Sequence, residues 1–198
     1  MAEDSIDDLS EVKHEIEISV PASEIQRIQN DIRNVHSCVE VQYLYNKLRK
    51  MGPWDANDLT IEVFLENDAL HSALVAAYGR IFTKGLRRIA RKKVPFELRP
   101  IHEALLVLRN KRYAHSDSHE SIETSFDLDF DGKTIFLNTG LSMTVVLGAP
   151  KEWKPLFDWL NGYLFDQLES QLARLSDITG YTWEQKPGPV PSWVDDAD

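Results

Sequence analysis

The chain has 198 residues, 42% hydrophobic and 27% charged, which is the length and composition of one globular domain with its own core. No apolar stretch approaches the roughly 20 residues that a membrane helix needs. The acidic start, Met1 to Glu11, lacks the features of a secretion signal, and the single Cys38 cannot form an internal disulfide. We therefore expect a cytoplasmic protein that makes no membrane contact.

The net charge of -10 hides a strong asymmetry along the chain. Residues 80–112 contain eleven basic side chains and two glutamates, whereas residues 117–131 contain six carboxylates and no lysine or arginine. Clustering of basic residues along one face is what phosphate binding requires, so the basic segment favours a nucleic-acid partner. The alternative is an ordinary solvated helix face.

The first predicted element is a long helix that begins near Pro21. Ser23 and Gln26 have the spacing of a helix-capping box, and Met51-Gly52-Pro53 supplies a stop signal. Between them, apolar residues recur at intervals of three and four, which predicts a helix with an apolar face. Its members are Ile25, Ile28, Ile32, Val35, Val39, Tyr43 and Leu44.

Two further helices are predicted before residue 115. The second extends from about Asp58 to Lys93, with a bend at Gly79 or Gly85. Pro95 and Pro100 interrupt the pattern, and a third helix then continues from Ile101 to Tyr113.

The period changes from helical to alternating after His115. Residues 122–130 alternate apolar and polar side chains, which predicts a half-buried strand, and Asp131-Gly132 is a hairpin signal before a partner strand at 134–138. Residues 142–147 predict an optional third strand after Thr139-Gly140. The insertion at about 121–148 is thus a β-hairpin or a three-stranded meander.

A fourth helix closes the predicted fold, with a sustained apolar stripe from Trp153 to Leu175. We expect a mainly α, up-and-down bundle of about four long helices at 21–180, preceded by an acidic arm at 1–20. Residues 181–198 form a proline-rich acidic tail, read as a loosely docked extended segment or as a ligand for a partner.

The residues best suited to chemistry end the third helix, where an apolar run turns polar at Arg109, Asn110 and His115. With α-helical spacing, Arg109, Arg112 and His115 lie along one edge of the helix. A guanidinium binds phosphate oxygens in a planar fork, and an imidazole exchanges protons near neutral pH. This combination favours phosphodiester chemistry.

Arg109-Asn110, four further residues and His115 resemble the Arg-x(4 to 6)-His signature of the HEPN superfamily (higher eukaryotes and prokaryotes nucleotide-binding). The alanine before His115 and the long flanking helices are similar to prokaryotic HEPN proteins of the abortive-infection and toxin type. The resemblance covers about residues 20–176. It implies a homodimer in which both copies of the motif line one cleft, with an antitoxin or defence-system partner.

The resemblance also implies metal-independent RNA cleavage without a cofactor, through a 2′,3′-cyclic phosphate. His115 would be the general acid or base, Arg109 would stabilise the phosphorane, and Asn110 would hold one of them in place. The expected substrate is single-stranded RNA. The residues expected to bind its phosphates are Lys111, Arg112, Arg88, Arg91 and Lys92.

Four alternatives stay open at this point. In the first, the protein is a non-catalytic HEPN-like dimer that binds RNA or another protein. In the second, Arg109 only pairs with Glu103 or with the acidic segment, and His115 only interacts with the carbonyls at the end of its helix. In a third, the acidic strands fold over the basic helix as a lid. In a fourth, a metal binds near His115 and His119 with Asp117, Glu120 and His102; we expect no metal, because the chain leaves the helix near His115. Cys38 is expected to be a buried residue and not a nucleophile.

Overall fold

The computed structural model describes residues 20–83, 88–113, 122–143, 146–186 and 188. These residues form four helices and one antiparallel hairpin, in the order α1, α2, α3, β1, β2, α4. The predicted mainly α bundle with an inserted β-hairpin is confirmed. The helices are α1 (Ala22–Lys50), α2 (Ile61–Phe82), α3 (Arg99–Val107) and α4 (Lys154–Thr179), and the strands are β1 (Ile122–Phe130) and β2 (Ile135–Met143).

The two ends of α1 differ in how well the sequence predicted them. The capping box is wrong: α1 begins at Ala22, because the Pro21 carbonyl already accepts hydrogen bonds from the amides of Glu24 and Ile25, and no side chain caps this end. Ser23 therefore lies inside the first turn. The predicted stop is confirmed, since the helix ends at Lys50 and Gly52 has a φ of 122°.

Helix α2 is shorter than predicted. The hydroxyl of Thr60 caps its start by accepting from the amide of Val63, and the helix ends at Phe82, where Thr83 turns the backbone to an extended conformation. The Ile89 amide then donates to the Ile81 carbonyl, so the chain returns along the end of α2. Residues 91–93, predicted to be α-helical, form one 3₁₀ turn instead. Gly79 does not end the helix, and Gly85 lies outside the described residues.

The core lies where α1, α2, α3 and α4 meet. Its largest fully buried side chains come from all four helices, so each helix contributes to one continuous cluster. They include Leu48, Leu74, Tyr78, Ile81, Leu105, Phe157 and Leu160. The Tyr78 hydroxyl and Nδ1 of His102 share a buried hydrogen bond of 2.6 Å, which joins α2 to α3.

The hairpin pairs β1 with β2 in the register Phe126↔Thr139, Leu128↔Leu137 and Phe130↔Ile135. The predicted turn is confirmed: Oδ1 of Asp131 accepts from the amides of Lys133 and Thr134, and Gly132 has a φ of 95°. The predicted meander is wrong, because β2 continues through Gly140 to Met143 instead of turning there. Residues 144–145 lie outside the described residues, and 146–147 belong to no strand.

The alternating pattern predicted half-buried strands, and this prediction is wrong for the described side chains of the hairpin. Every side chain from 125 to 140 is exposed, because no helix among the described residues packs on either face of the hairpin. The described side chains of the hairpin, residues 125–140, therefore do not cover the basic helices. Alternation gave the correct strand assignment, but a two-faced strand needs a packing partner before one face becomes buried.

The chain returns to the bundle at Gly148, where α2 holds the backbone. The Asn67 side chain accepts from the Gly148 amide at 2.9 Å and donates to the Val146 carbonyl at 2.7 Å, and Nε2 of His71 lies 2.7 Å from the Gly148 carbonyl. Helix α4 then closes the bundle and ends at Gly180, with a φ of 72°. No helix of the described segments is both long and apolar enough to cross a membrane.

Candidate active site

The predicted motif lies on a π-helical turn, Leu108–Tyr113, that continues α3 directly. Hydrogen bonds in a π-helix connect residue i with residue i+5, so the turn is wider than an α-helical turn. The predicted edge of Arg109, Arg112 and His115 assumed α-helical spacing and does not apply to this turn. Such turns are rare and occur frequently at functional sites.

The stem of Arg109 packs directly on Gly79 in the middle of α2. A methyl group at Gly79 would lie 3.1 Å from Cγ and Cδ of Arg109 and 3.2 Å from its Nε. This is closer than ordinary van der Waals contact, so the absence of a side chain at Gly79 allows Arg109 its position. The sequence pattern predicted only a bend at Gly79; a glycine inside a strongly helical pattern was the available signal for a close approach.

Arg109 and Asn110 are joined by a hydrogen bond. Nη1 of Arg109 donates to Oδ1 of Asn110 at 2.9 Å, and the bond is at the exposed surface. A guanidinium has five N–H donors, and this bond uses one of them. The half-buried stem and this bond together fix the direction of the charged group. Arg109 and Asn110, the adjacent residues of the predicted motif, are therefore in direct contact.

The alternative in which Arg109 pairs with Glu103 is wrong. Glu103 forms an ion pair with Arg91, from the 3₁₀ turn that precedes α3. Since Glu103 is six residues before Arg109, this pair lies about 9 Å from the motif along the helix axis. Arg91 is thus next to the motif helix, with part of its charge neutralised by Glu103.

The other predicted phosphate-binding residues differ in how they are held. Arg88, Lys92 and Lys111 are exposed and form no ion pair within the described part of the chain. The backbone of Arg112 belongs to the π-helical turn, and its side chain lies outside what the structure describes. The described part of the motif therefore has Arg109 bonded to Asn110, with the exposed Lys111 next to them in the chain.

Two buried groups of the bundle, His102 on α3 and Cys38 on α1, are unsuited to acid or base catalysis at this surface. Burial lowers the pKa of His102, so the imidazole is neutral near pH 7, and its Nδ1 is already bonded to Tyr78. Burial raises the pKa of Cys38 to about 12, which disfavours the reactive thiolate, and the predicted burial of this residue is confirmed.

His115 lies outside the described residues, as do His119, Asp117 and Glu120 of the alternative metal site. The remaining residue of the alternative metal site, His102, is buried inside the bundle and not at the surface. Within the described segments, no group of three or more potential ligands could hold a metal ion. Comparison with family models, curated proteins and solved structures finds no match to this chain.

Proposed function

We propose that this protein is a metal-independent endoribonuclease of the HEPN type. The observation that carries the proposal is the arrangement of Arg109, whose stem packs on Gly79 and whose guanidinium is bonded to Asn110 at an exposed π-helical turn. An oriented guanidinium costs no reorganisation when charge develops on a phosphate, which is the condition for effective transition-state stabilisation.

The reaction needs only groups that this chain supplies. The ribose 2′-hydroxyl attacks the adjacent phosphorus, the bond to the 5′-oxygen of the next nucleotide breaks, and the products are a 2′,3′-cyclic phosphate and a 5′-hydroxyl. His115 takes the proton from the attacking hydroxyl or gives one to the leaving oxygen. Arg109 donates to the phosphorane oxygens, and Asn110 keeps Arg109 in place.

Single-stranded RNA binds along the exposed cations of the basic segment. Lys111, Arg88 and Lys92 neutralise phosphates. Arg91 contributes less positive charge, because its ion pair with Glu103 neutralises part of it. Two copies of the motif share one cleft in a homodimer, which acts in the cytoplasm with an antitoxin or a defence-system partner. The chemistry excludes DNA, because DNA has no 2′-hydroxyl.

The test is cleavage of a fluorescently labelled single-stranded RNA in the presence of a chelator. We expect cyclic-phosphate products from the wild type, and no cleavage of the same oligonucleotide as DNA. The His115→Ala variant should lose about 10² to 10⁴ of the rate. Arg109→Ala, which removes one stabilising donor group, should lose about 10² to 10³.

Two charge variants separate binding from catalysis. Lys92→Ala should weaken RNA binding and reduce the slope of log affinity against log salt by about one, while saturating RNA restores cleavage. Lys133→Ala removes the same charge at the exposed hairpin turn and should change neither measurement. Cleavage that His115→Ala retains in full would contradict the assignment.

One observation favours a second function, that of a non-catalytic interaction module. The hairpin exposes large apolar side chains to solvent on one face, including Phe126, Leu128 and Phe130. Exposed apolar patches often mark protein contacts. RNA binding without cyclic-phosphate products, in a protein whose circular dichroism shows it to be folded, would favour the module over the nuclease.

A further inference from the structure

Phe96 projects into solvent just before α3 begins. Its side chain is 80% exposed, more than that of any other large apolar residue in the described part of the chain. Its neighbours face the other way, since Val94 is buried and Leu98 packs against the core. The amide of Leu98 donates to the Pro95 carbonyl at 3.0 Å and closes the 3₁₀ turn that contains the ring. The packing of these neighbours therefore holds Phe96 outside the core.

Arg99 contacts the Phe96 ring and is itself held by the backbone. Its guanidinium carbon lies 5.7 Å from the ring centroid, which is a cation–π distance. Nε of Arg99 donates to the Val94 carbonyl at 3.1 Å, and Nη2 donates to the Lys92 carbonyl at 3.4 Å. These bonds orient the guanidinium, and the guanidinium orients the ring. Because the ring stays largely exposed beside Arg99, it presents a planar apolar surface to a ligand.

The charges around Phe96 indicate the kind of ligand. Residues 88–99 contain five basic side chains and one carboxylate, in a chain whose net charge is -10. Lys92 and Lys93 are exposed and form no ion pair with any described residue. The one carboxylate, Glu97, is exposed and follows Phe96 in the chain. An exposed ring among cations suits a ligand that combines planar rings with negative charges, as single-stranded nucleic acid does.

We propose that Phe96 is a stacking platform for a base of single-stranded RNA, with Lys92 and Lys93 binding the neighbouring phosphates. That the strand is RNA rests on the proposed nuclease function; stacking does not, because every base has a π face. A protein contact normally uses a patch of several apolar side chains. Phe96 is the only exposed large apolar residue of 88–99, so a base is the better occupant.

The platform and the predicted motif lie along the same helix. Helix α3 begins at Arg99, and ten residues at the rise of an α-helix place Arg109 about 15 Å further along the axis. The ion pair of Arg91 with Glu103 joins the basic segment to α3 between these two points. A strand of a few nucleotides covers this distance, with one base on Phe96 and its scissile phosphate at Arg109. The platform thus contributes to substrate binding and not to the chemical step.

The test measures binding of a labelled single-stranded DNA of about 12 nucleotides, which has bases and phosphates but no 2′-hydroxyl for the proposed cleavage. Fluorescence anisotropy at about 50 mM salt gives the dissociation constant. Phe96→Ala should weaken binding about 5- to 150-fold, the loss expected for one stacked base. Phe96→Trp should keep the affinity of the wild type. Circular dichroism and melting temperature should be unchanged in both variants, because the ring is exposed.

A DNA strand of the same length without bases separates stacking from charge. The wild type and Phe96→Ala should bind this abasic strand equally, because only its phosphates remain. Lys93→Ala should weaken binding of both strands and reduce the slope of log affinity against log salt by about one, whereas Phe96→Ala should leave the slope unchanged. Phe130→Ala is the matched control, since Phe130 is exposed to 63% between Asp129 and Asp131; it should bind both strands like the wild type.

Three results overturn the proposal. In the first, the wild type binds neither strand. In the second, Phe96→Ala binds the base-bearing strand as tightly as the wild type, which leaves a protein contact as the role of the ring. In the third, Phe96→Ala loses the same affinity for both strands. RNA cleavage is measured separately: if Phe96→Ala weakens binding as expected but the wild type cleaves no RNA, the platform is supported and the nuclease assignment fails.

Discussion

Gly79 and Arg109 show how a single missing side chain places a functional group. The arginine stem occupies the space that a methyl group at position 79 would enter, so the position of the guanidinium depends on a residue thirty positions earlier in the chain. A helix-interior glycine costs about 1 kcal/mol relative to alanine. In this protein that cost accompanies the close approach of Arg109.

Gly79→Ala separates helix propensity from the contact with Arg109. The substitution gains about 1 kcal/mol of helix propensity, but the stem of Arg109 must shift by a few tenths of an ångström, so the net gain in unfolding free energy should be well below that value. Urea denaturation measures it. If the proposed nuclease is correct, the cleavage rate falls as well.

Gly162→Ala in α4 is the matched control. Nothing lies within 4 Å of a methyl group at this position, so the variant should gain the full value of about 1 kcal/mol and keep the activity of the wild type. Equal stabilisation by both alanines would show that the contact between position 79 and Arg109 has no energetic effect.

At the scale of elements, α1 and α4 are joined through a buried carboxylate. Burial raises the pKa of Glu24, but the Gln171 hydrogen bond and the charges of Arg174 and Arg27 outweigh burial, and the net pKa lies below the ordinary value of 4.5. The charged form is therefore favoured by folding. Its contribution to stability is present above the ordinary pKa and is lost as the pH falls through the lowered value.

Glu24→Gln tests this pH dependence. The variant should be less stable than the wild type at pH 7, because it loses the ionic contacts with Arg174 and Arg27. The difference should shrink as the pH falls below 4.5 and through the lowered pKa of Glu24, because the wild-type carboxylate then becomes protonated as well. Urea denaturation at each pH gives the two curves.

Glu169→Gln provides the comparison, since Glu169 is exposed on α4 and forms no ion pair within the described residues. Its curve should follow the wild type at every pH. A Glu24→Gln difference that stays constant from pH 7 down to the acid unfolding of the protein would contradict the assigned role of the carboxylate.

At the scale of the whole molecule, the described residues form a packed helical core and a hairpin whose side chains from 125 to 140 are all exposed. The exposed side chains of the hairpin should therefore tolerate polar substitution. Leu128→Thr, at a residue exposed to 64%, should change the unfolding free energy by no more than about 0.5 kcal/mol. Leu160→Ala, at a fully buried residue, should cost about 2 to 5 kcal/mol.

Thermal and urea denaturation of these two leucine variants compare hairpin and core directly. If Leu128→Thr costs as much as Leu160→Ala, the hairpin has an apolar packing partner. Light scattering of the same samples reports whether the polar hairpin also associates less.

The sequence predicted much of the fold, because its local signals act within a few residues of one another. The helix stop at Gly52, the Asp131-Gly132 turn and the strand alternation of 122–130 all have the predicted structure. The predictions failed where packing decides: the end of α2 at Phe82 depends on Ile89 returning to Ile81. The predicted burial of one face of the hairpin was wrong for the same reason, since it depends on packing against another element.

The features of the candidate site fall into the same two groups, local ones that the sequence shows and long-range ones that it does not. The residue types and spacing of Arg109 and Asn110 were visible in the sequence, and their local bond needs only neighbouring residues. The ion pair that removes Glu103 from Arg109, and the approach to Gly79, join segments that are distant in the chain. No local pattern contains that information.

The amino-acid sequence alone determined the helical class of this protein, the inserted hairpin and the chemical identity of the motif, because propensity, turn chemistry and residue type are local properties. Only the tertiary structure decided which apolar face of α1 is buried and what holds Arg109. Those outcomes depend on which helix surfaces meet. In α1 the carboxylates of Glu24 and Asp31 accept hydrogen bonds from α4, and Ile25, Ile32 and Val39 are exposed to solvent.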